Sequence, residues 1–332
     1  MIEPLGHQVA SFPFGRRSTI VTPTRISPQG SIQLVTHRTS QGEHLLLPAP
    51  EVNQNILYLL GYMQQRHSLG IHAVSVLADH LYSLLTDLLG DRIQRFNLEF
   101  FSLMARSMNC YRKRRENFWN TRKPSCVLVA PRAEDVVQKA AYVIANPVQA
   151  KLVSSAAEWP GVCTLADEMG RLVLEIERPR FFYDENGPMP ESTRLEITVP
   201  EVCDASSEEL RERIIEEVKE RERAVQSNVR LEKSRFLGAE MVLHGSPHAR
   251  SAHPGKPGDL NPRVACKDRR LRARFLEWLK ARQAQYEELR QRLLEGGQDL
   301  VFPEGTFALH FRGGQRRTPW RGCPWQRLMV DP

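Results

Sequence analysis

Residues 76–85 read VLADHLYSLL, and this stretch decides the predicted fold. An apolar run over Ile71–Leu77 meets the short polar break Ala78-Asp79, and a second apolar run follows over His80–Thr86. Two β-rich runs that are separated by a two-residue break predict a β-hairpin. The sequence therefore predicts that His80 opens the second strand of an antiparallel pair.

The hairpin also predicts which residues face each other. The expected partners are Leu77 with His80, Ser75 with Tyr82, and His72 with Leu85. Because side chains alternate along a strand, His80 and Tyr82 point to the same face as close neighbours. Such a pair can hold a metal ion or a phosphate, or it can be an ordinary strand start followed by an ordinary β-former.

The segments around the hairpin predict its fold. In chain order they are a strand from Ser31 to Arg38, a helix over Glu51–Leu69 ended by Gly70, the hairpin Ile71–Thr86, a helix over Asp91–Tyr111, and a loop or final strand in Ser125–Ala130. The order strand, helix, strand, strand, helix is typical of a ferredoxin-like split βαβ sandwich. We therefore expect an α+β fold in which an antiparallel sheet packs against helices.

Composition and charge restrict the function. The 332 residues carry a net charge of +7, and their basic residues are clustered, which favours a polyanionic partner. The sequence contains no apolar run of the roughly 18 residues that a membrane span needs. With no apolar signal core at the N-terminus either, we expect a cytoplasmic protein that does not engage a membrane. Six scattered cysteines without a C-x-x-C pattern favour neither disulfides nor a zinc site.

A basic stretch follows the second helix. Residues 111–123 read YRKRRENFWNTRK and contain six basic residues, one acidic residue (Glu116) and three aromatic residues. Cations neutralise phosphates and aromatic rings stack on unpaired bases, so this mixture favours single-stranded nucleic acid. A solvated helix end, where basic residues suit the helix dipole, is the other interpretation. The candidate DNA-binding residues are Arg112, Lys113, Arg114, Arg115, Trp119, Arg122 and Lys123.

The next predicted helix carries a tyrosine off its apolar side. The helix begins after Pro131, and Pro147 makes it stop near Asn146. At 100° per residue, Tyr142 lies about 150° from the centre of the apolar stripe and about 40° from Asn146. A tyrosine in this position is either a functional side chain or a surface tyrosine that packs under a loop.

Five segments together resemble one family. They are QLVTHRT (Gln33–Thr39), the hairpin at His80, NFWNTRKPS (Asn117–Ser125), AAYVIANPVQAKLV (Ala140–Val153) and EWPG (Glu158–Gly161). Their order and spacing resemble the REP-associated tyrosine transposases of the HUH superfamily, over roughly residues 30–165. Such enzymes act on single-stranded or hairpin DNA.

The resemblance implies roles for particular residues. Tyr142 corresponds to the nucleophile that forms a phosphotyrosine, and Asn146 to the oxygen ligand of a Mg²⁺ or Mn²⁺ ion. His80 corresponds to the first histidine of the His-hydrophobic-His motif, but Tyr82 stands where the second is expected. A neutral phenol is a poor ligand for a divalent ion, so this departure puts cleavage in question. Asp79 and His37 are the other side chains that we consider as replacement ligands.

The remaining residues predict an extension. We expect a flexible arm over residues 1–30, a transposase-like domain over 31–165, an extension with short strands and charged helices over 166–311, and a basic tail over 312–332. The extension includes a capped helix from Ser206 to about Val225, a loop over Ser246–Pro262 and a basic helix over Asp268–Leu294. Three functions remain open for a monomer or homodimer: DNA nicking and rejoining, DNA hairpin binding without turnover, and an adaptor role of these helices.

Overall fold

The computed structural model describes residues 24–121, 124–251, 263–298, 300–303 and 305–306. Most of the expected N-terminal arm and the whole basic tail over 312–332 lie outside the described residues. So do Arg122 and Lys123 of the basic stretch. No helix within the described ranges is both long and apolar enough to cross a membrane.

The core is the expected α+β sandwich. Its elements are β1 (Ser31–Arg38), α1 (Pro50–His67), β2 (Leu69–Val76), β3 (His80–Asp87), α2 (Arg92–Tyr111), β4 (Ser125–Val129) and α3 (Ala133–Ile144). The strands lie in the order β2-β3-β1-β4, and neighbours are antiparallel. This is the strand order of the split βαβ sandwich, so the predicted fold class is confirmed.

The two faces of this sheet are covered by different helices. Helices α1 and α2 pack together on one face, while α3 contacts β2, β3 and β4 on the other. Alternation along the strands separates the two sets of side chains. His37 contacts Phe101 of α2, whereas Tyr82 contacts Tyr142 of α3. The face under α3 therefore carries the residues that the sequence singled out.

Two local predictions are wrong. Helix α1 ends at Ser68, in left-handed conformation (φ 51°), and not at Gly70, which lies inside β2. A β-bulge at His72 shifts the hairpin register, so Leu85 faces Ile71 and not His72. The bulge allows the His72 ring to lie between two threonines, with its Nε2 2.7 Å from the Thr86 hydroxyl. The pairing of Ser75 with Tyr82 is as predicted.

Further elements follow α3, the first of them within residues 31–165 and the others in the extension. They are α4 (Asn146–Gln149), β5 (Val173–Glu177), β6 (Ser192–Glu196), α5 (Ser207–Leu231), α6 (Ala239–Leu243), β7 (Val264–Ala265) and α7 (Arg269–Leu294). Ser206 and Glu209 form the predicted capping box of α5, which extends beyond the predicted end at Val225. Strand β7 pairs parallel to β4 and becomes the fifth strand of the main sheet. The domain boundary at residue 165 stays a prediction.

The chain is ordered upstream of the expected start at Ser31. Ile26 is buried, and the Ser27 hydroxyl donates a hydrogen bond of 2.5 Å to the buried Asp87 carboxylate. The same carboxylate accepts backbone N–H groups of Arg92 and Ile93 at the start of α2. Residues 24–30 therefore belong to the packed structure, because they complete the hydrogen bonding of a buried charge.

Candidate functional site

The candidate site lies on the sheet face that α3 covers. Directly opposed residues of antiparallel strands project to the same face. Arg38 of β1 pairs with His80 of β3, and Thr36 of β1 pairs with Tyr82. The rings of His80 and Tyr82 are nearly parallel, with centroids 5.9 Å apart. The hairpin therefore places His80 and Tyr82 side by side, as its alternation predicts.

Asp79, in the turn of the hairpin, orients the histidine. Its Oδ1 accepts a hydrogen bond from His80 Nδ1 at 2.7 Å, and its Oδ2 accepts one from the Ser251 hydroxyl at 2.6 Å. Arg38 Nη2 lies 3.2 Å from the same Oδ2. Burial by itself raises the pKa of Asp79, but the hydrogen bonds from His80 and Ser251 and the charge of Arg38 together hold it below its usual value. Asp79 is thus a buried carboxylate with both oxygens engaged.

Tyr82 fills the space between the histidine and α3. Its ring meets the Tyr142 ring edge-on, with centroids 5.8 Å apart. Burial raises the pKa of Tyr82 well above its ordinary value, and the neighbouring Tyr142 and Asp79 raise it further, although a hydrogen bond with Asn146 opposes the rise. At neutral pH the side chain is therefore an uncharged phenol.

The end of α3 positions the other two residues. Helix α3 ends at Ile144, and the short α4 begins at Asn146 with Pro147 in its first turn. Because Pro147 suits a first helical turn, the chain resumes helical geometry and keeps Asn146 on the side of Tyr142. Both contact Tyr82, Asn146 being buried and Tyr142 half-buried. The structure therefore brings together the four residues that the sequence assigned to chemistry: His80, Tyr82, Tyr142 and Asn146.

These residues do not fit a divalent metal ion. His80 keeps one ring nitrogen, Nε2, after its bond to Asp79, and Asn146, which lies against Tyr82, offers one amide oxygen. Tyr82 adds a neutral phenol, where an ion of this kind takes carboxylate or imidazole ligands. Across the described ranges, no group of three or more His, Cys, Asp or Glu side chains could hold a metal. Apart from the Asp79 carboxylate, which bonds His80, the donors present are one imidazole and one amide oxygen.

Neither replacement ligand is available at this site. Asp79 bonds Nδ1 of His80, which points away from the free Nε2, and its other oxygen faces Ser251 and Arg38. His37 points to the opposite face of the sheet, where its ring stacks on Trp119 at a centroid distance of 4.7 Å. Burial lowers the pKa of His37 to about 4, and the positive charge of Arg25 lowers it further, so His37 is a neutral core residue.

The basic stretch separates into core and surface residues. The prediction that Trp119 stacks on unpaired bases does not fit the structure, because its ring is buried and its Nε1 donates to the Phe101 carbonyl at 2.8 Å. Arg112 is half-buried, and its guanidinium donates to the carbonyls of Leu45 and Leu47. These two residues hold the loop in place, so a nucleic acid cannot reach them without disrupting those contacts.

The rest of the stretch borders the candidate site. Arg114 Nη1 lies 2.8 Å from a carboxylate oxygen of Glu43, and Arg250 Nη2 lies 3.2 Å from the other oxygen. Glu43 therefore joins the loop after α2 to the segment that contains Arg250 and Ser251, and the Ser251 hydroxyl bonds Asp79. Lys113 and Arg115 flank Arg114 and are exposed. A basic rim, defined here as Lys113, Arg115 and Arg250, thus stands beside the site.

Sequence reasoning missed two members of this network. Arg38 closes β1, and only the register of β1 against β3 places it opposite His80. Ser251 is 172 positions from Asp79 along the chain, and its role depends on an isolated bridge between Glu43 and Arg250. The alternation of β1 could have indicated Arg38, since Arg38 and Thr36 share a face. No local pattern indicates Ser251.

Comparisons with known proteins give a limited result. No protein-family model matches the chain, and no curated protein matches it. Among solved structures, it is similar to that of a REP-associated tyrosine transposase bound to a REP hairpin, with 18% identity and a TM-score of 0.36. The match covers 46% of this chain and 87% of that chain. At this identity and TM-score, the likeness supports no inference about what this chain binds.

Proposed function

We propose that this protein is a transposase-like protein that binds single-stranded or hairpin DNA without metal-dependent cleavage. The observation that supports the proposal is the Tyr82 phenol, which stands between His80 and Tyr142 and next to Asn146. A phenol with a raised pKa supplies neither an imidazole nor a negative charge to a divalent ion. The same contacts preserve the positions of Tyr142 and Asn146.

The surroundings of the site favour a DNA backbone as the ligand. Lys113, Arg115 and Arg250 form the exposed basic rim, and Arg38 lies at its inner edge with a partly exposed guanidinium. Basic side chains around a cleft neutralise phosphates and release their counterions, which gives an affinity that falls with salt. Half-exposed rings such as His80 and Tyr142 offer stacking partners to unpaired bases.

Nicking and rejoining through Tyr142 is the alternative function. In that reaction the phenol oxygen attacks a phosphorus, the bond to the 3′ oxygen breaks, and a phosphotyrosine and a 3′-OH result. A protonated phenol is a weak nucleophile at neutral pH and needs activation. The site holds Tyr142 in place, but its donors do not fit the ion that the family resemblance implies.

The experiment is DNA binding and adduct formation by the full chain. We expect a labelled single-stranded hairpin to bind with equal affinity in Mn²⁺ and in EDTA, measured by fluorescence anisotropy. We expect no covalent adduct on a denaturing gel, from the natural protein or from the matched control Tyr142→Phe. A Mn²⁺-dependent adduct that disappears in Tyr142→Phe would establish the enzyme instead. Absence of DNA binding in both buffers would overturn the proposal altogether.

A further inference from the structure

Helix α7 carries a basic face that the proposed site does not use. Residues 269–284 contain six basic residues and one acidic residue, Glu277. The side of α7 that faces away from the core exposes Arg269, Arg270 and Lys280, together with one acid, Glu277, and three alanines, Ala273, Ala281 and Ala284. We call Arg269, Arg270 and Lys280 the α7 basic face. The opposite side of the helix buries Phe275 and Leu279 against the core.

This charge does not stabilise the helix that carries it. The N-terminus of a helix is the positive end of its dipole, where acidic side chains are favourable and basic ones are not. The first turn of α7 has no acidic residue, and it begins with Arg269 and Arg270. Asp268 supplies the N-cap, accepting the backbone N–H groups of Arg270 and Leu271. Since the cap and the buried face already account for the helix, the two arginines have no structural role there.

The neighbouring acids are already engaged within the fold. Glu134 forms an ion pair with Lys267, and Asp135 accepts the Lys267 backbone N–H at 2.6 Å. Asp268 faces Arg132 at 3.6 Å, in addition to capping the helix. The acids beside the start of α7 therefore form their ion pairs with Arg132 and Lys267, and although the Asp268 carboxylate also feels the charge of Arg270, the exposed guanidinium groups of Arg269 and Arg270 remain accessible to a partner outside the chain.

We propose that the α7 basic face binds the phosphate backbone of duplex nucleic acid, in addition to the proposed site for an unpaired strand. Exposed alanines allow the helix to approach a double helix closely. Surfaces for single strands use exposed aromatic rings, but Trp278 of α7 is half-buried, with Arg282 over its ring. A membrane partner would need an exposed apolar face, whereas α7 buries its own.

The position of α7 suits one nucleic acid that contacts both surfaces. Lys267 and Asp268, immediately before α7, contact Asp135 and Arg132 at the start of α3. Tyr142 lies seven residues after Asp135, which is about 10 Å along the helix at 1.5 Å per residue. That separation is short against one turn of duplex DNA, about 34 Å. A hairpin can therefore place its unpaired end at the site and its stem on α7.

The test compares two variants of the full chain with equal loss of charge. The first replaces Arg269, Arg270 and Lys280 by Ala, and the matched control replaces three exposed arginines outside α7: Arg180, Arg230 and Arg235. Each is titrated with a blunt duplex, a hairpin and an unpaired oligonucleotide. We expect the first variant to lose about tenfold or more in duplex affinity and about 3 units of salt slope, since three phosphate contacts are removed. The control should bind all three DNAs as the natural protein does.

Each other outcome has a definite meaning. Equal duplex affinity in the natural protein and the first variant would overturn the α7 proposal, as would equal losses in the two variants. Binding of anionic vesicles in preference to duplex would overturn it as well, in favour of a membrane partner. A melting temperature that falls in the first variant would show that the arginines are structural. The proposal of a single-strand site is contradicted on its own, without affecting the α7 proposal, if the natural protein binds duplex but not the unpaired oligonucleotide.

Discussion

A histidine at position 82 would point to the same face of the sheet as His80, because the Tyr82 side chain already does so. Tyr82→His places a second imidazole beside the first, next to the amide of Asn146. We expect a gain of Mn²⁺ affinity by calorimetry, and Mn²⁺-dependent adduct formation with hairpin DNA. The adduct should disappear when Tyr142→Phe is added.

Tyr82→Phe is the control for that gain. It keeps the aromatic ring that packs on His80 and Tyr142 but removes the hydroxyl. It should therefore bind Mn²⁺ no better than the natural protein. If the histidine variant also binds Mn²⁺ no better than the phenylalanine variant, then His80 and Asn146 do not form a metal site, and the assignment of these residues by family resemblance is wrong.

Buried histidines predict a pH dependence of stability. Burial lowers the pKa of His72 to about 4, although a hydrogen bond with the Thr198 backbone opposes the fall, and His37 has a similarly low pKa. An unfolded histidine has a pKa near 6.5. Below that pH the unfolded chain binds protons that the folded chain does not bind, so acidification favours the unfolded state. The stability that these groups provide is complete above about pH 6.5 and is lost as the pH falls toward 4.

The expected size of this loss is measurable. Between pH 7 and pH 5, each histidine should remove about 2 kcal/mol from the free energy of unfolding. Urea denaturation across this range, compared with His72→Gln, measures the effect of His72. The variant should be less stable at pH 7 but should lose less stability on acidification. Parallel pH profiles for the two proteins would mean that His72 is protonated in the folded state.

Single residues were also where sequence reasoning succeeded and failed most clearly. Strand alternation is a local rule, so it placed His80 beside Tyr82 correctly. Helical periodicity put Tyr142 and Asn146 on one side, where both contact Tyr82. The Ser251 contact to Asp79 depends on how the extension returns to the core. Tertiary contacts over such distances leave no periodic signal in the chain.

At the scale of elements, the loop after α2 combines two roles. Arg112 supports the loop from within, whereas Lys113 and Arg115 are exposed on the basic rim. The double variant Lys113→Ala/Arg115→Ala should therefore weaken single-strand binding and lower its salt slope by about 1.5, with no change in melting temperature. Anisotropy titrations at several salt concentrations measure both quantities.

Arg112→Ala provides the contrasting variant. It leaves the carbonyls of Leu45 and Leu47 without their donor, so we expect a loss of about 1–3 kcal/mol in stability. Arg112→Ala should weaken DNA binding less than the Lys113→Ala/Arg115→Ala double variant does. Unchanged DNA affinity in the Lys113/Arg115 variant would mean that this loop is only a solvated helix end, as the second interpretation of the sequence holds.

Most elements could be predicted from periodicity and capping, and the exceptions have identifiable causes. The capping box at Ser206 and the aspartate before α7 mark helix starts that agree with the structure. The end of α1 was misplaced because Ser68 adopts the left-handed conformation that usually favours glycine. The bulge at His72 was missed because the threonines that accommodate it include Thr198, far along the chain.

At the scale of the whole molecule, the extension and the sandwich share one core. Leu195 in β6 and Ile197 just after it belong to the same buried cluster as the apolar residues of α1. Three residues of α5, which packs on α3, belong to that cluster as well: Leu210, Ile214 and Val218. Burial of one such side chain contributes about 1.5–3 kcal/mol. The five side chains together contribute a free energy comparable with the whole free energy of unfolding of a domain, about 5–15 kcal/mol.

A fragment of residues 31–165 should therefore be far less stable than the full chain, although its segments carry the family resemblance. It exposes the faces of α1 and α3 that β6 and α5 cover, and it lacks Ser27, which bonds the buried Asp87. We expect aggregation, or a melting temperature at least about 10 °C lower by calorimetry, since a loss of 1 kcal/mol lowers it by about 2–4 °C. The control fragment 24–251 keeps α5 and Ser251 and should melt at a higher temperature than the shorter one. Cooperative melting of residues 31–165 at the temperature of the full chain would show instead that the sandwich is an independent domain and that the extension only rests on its surface.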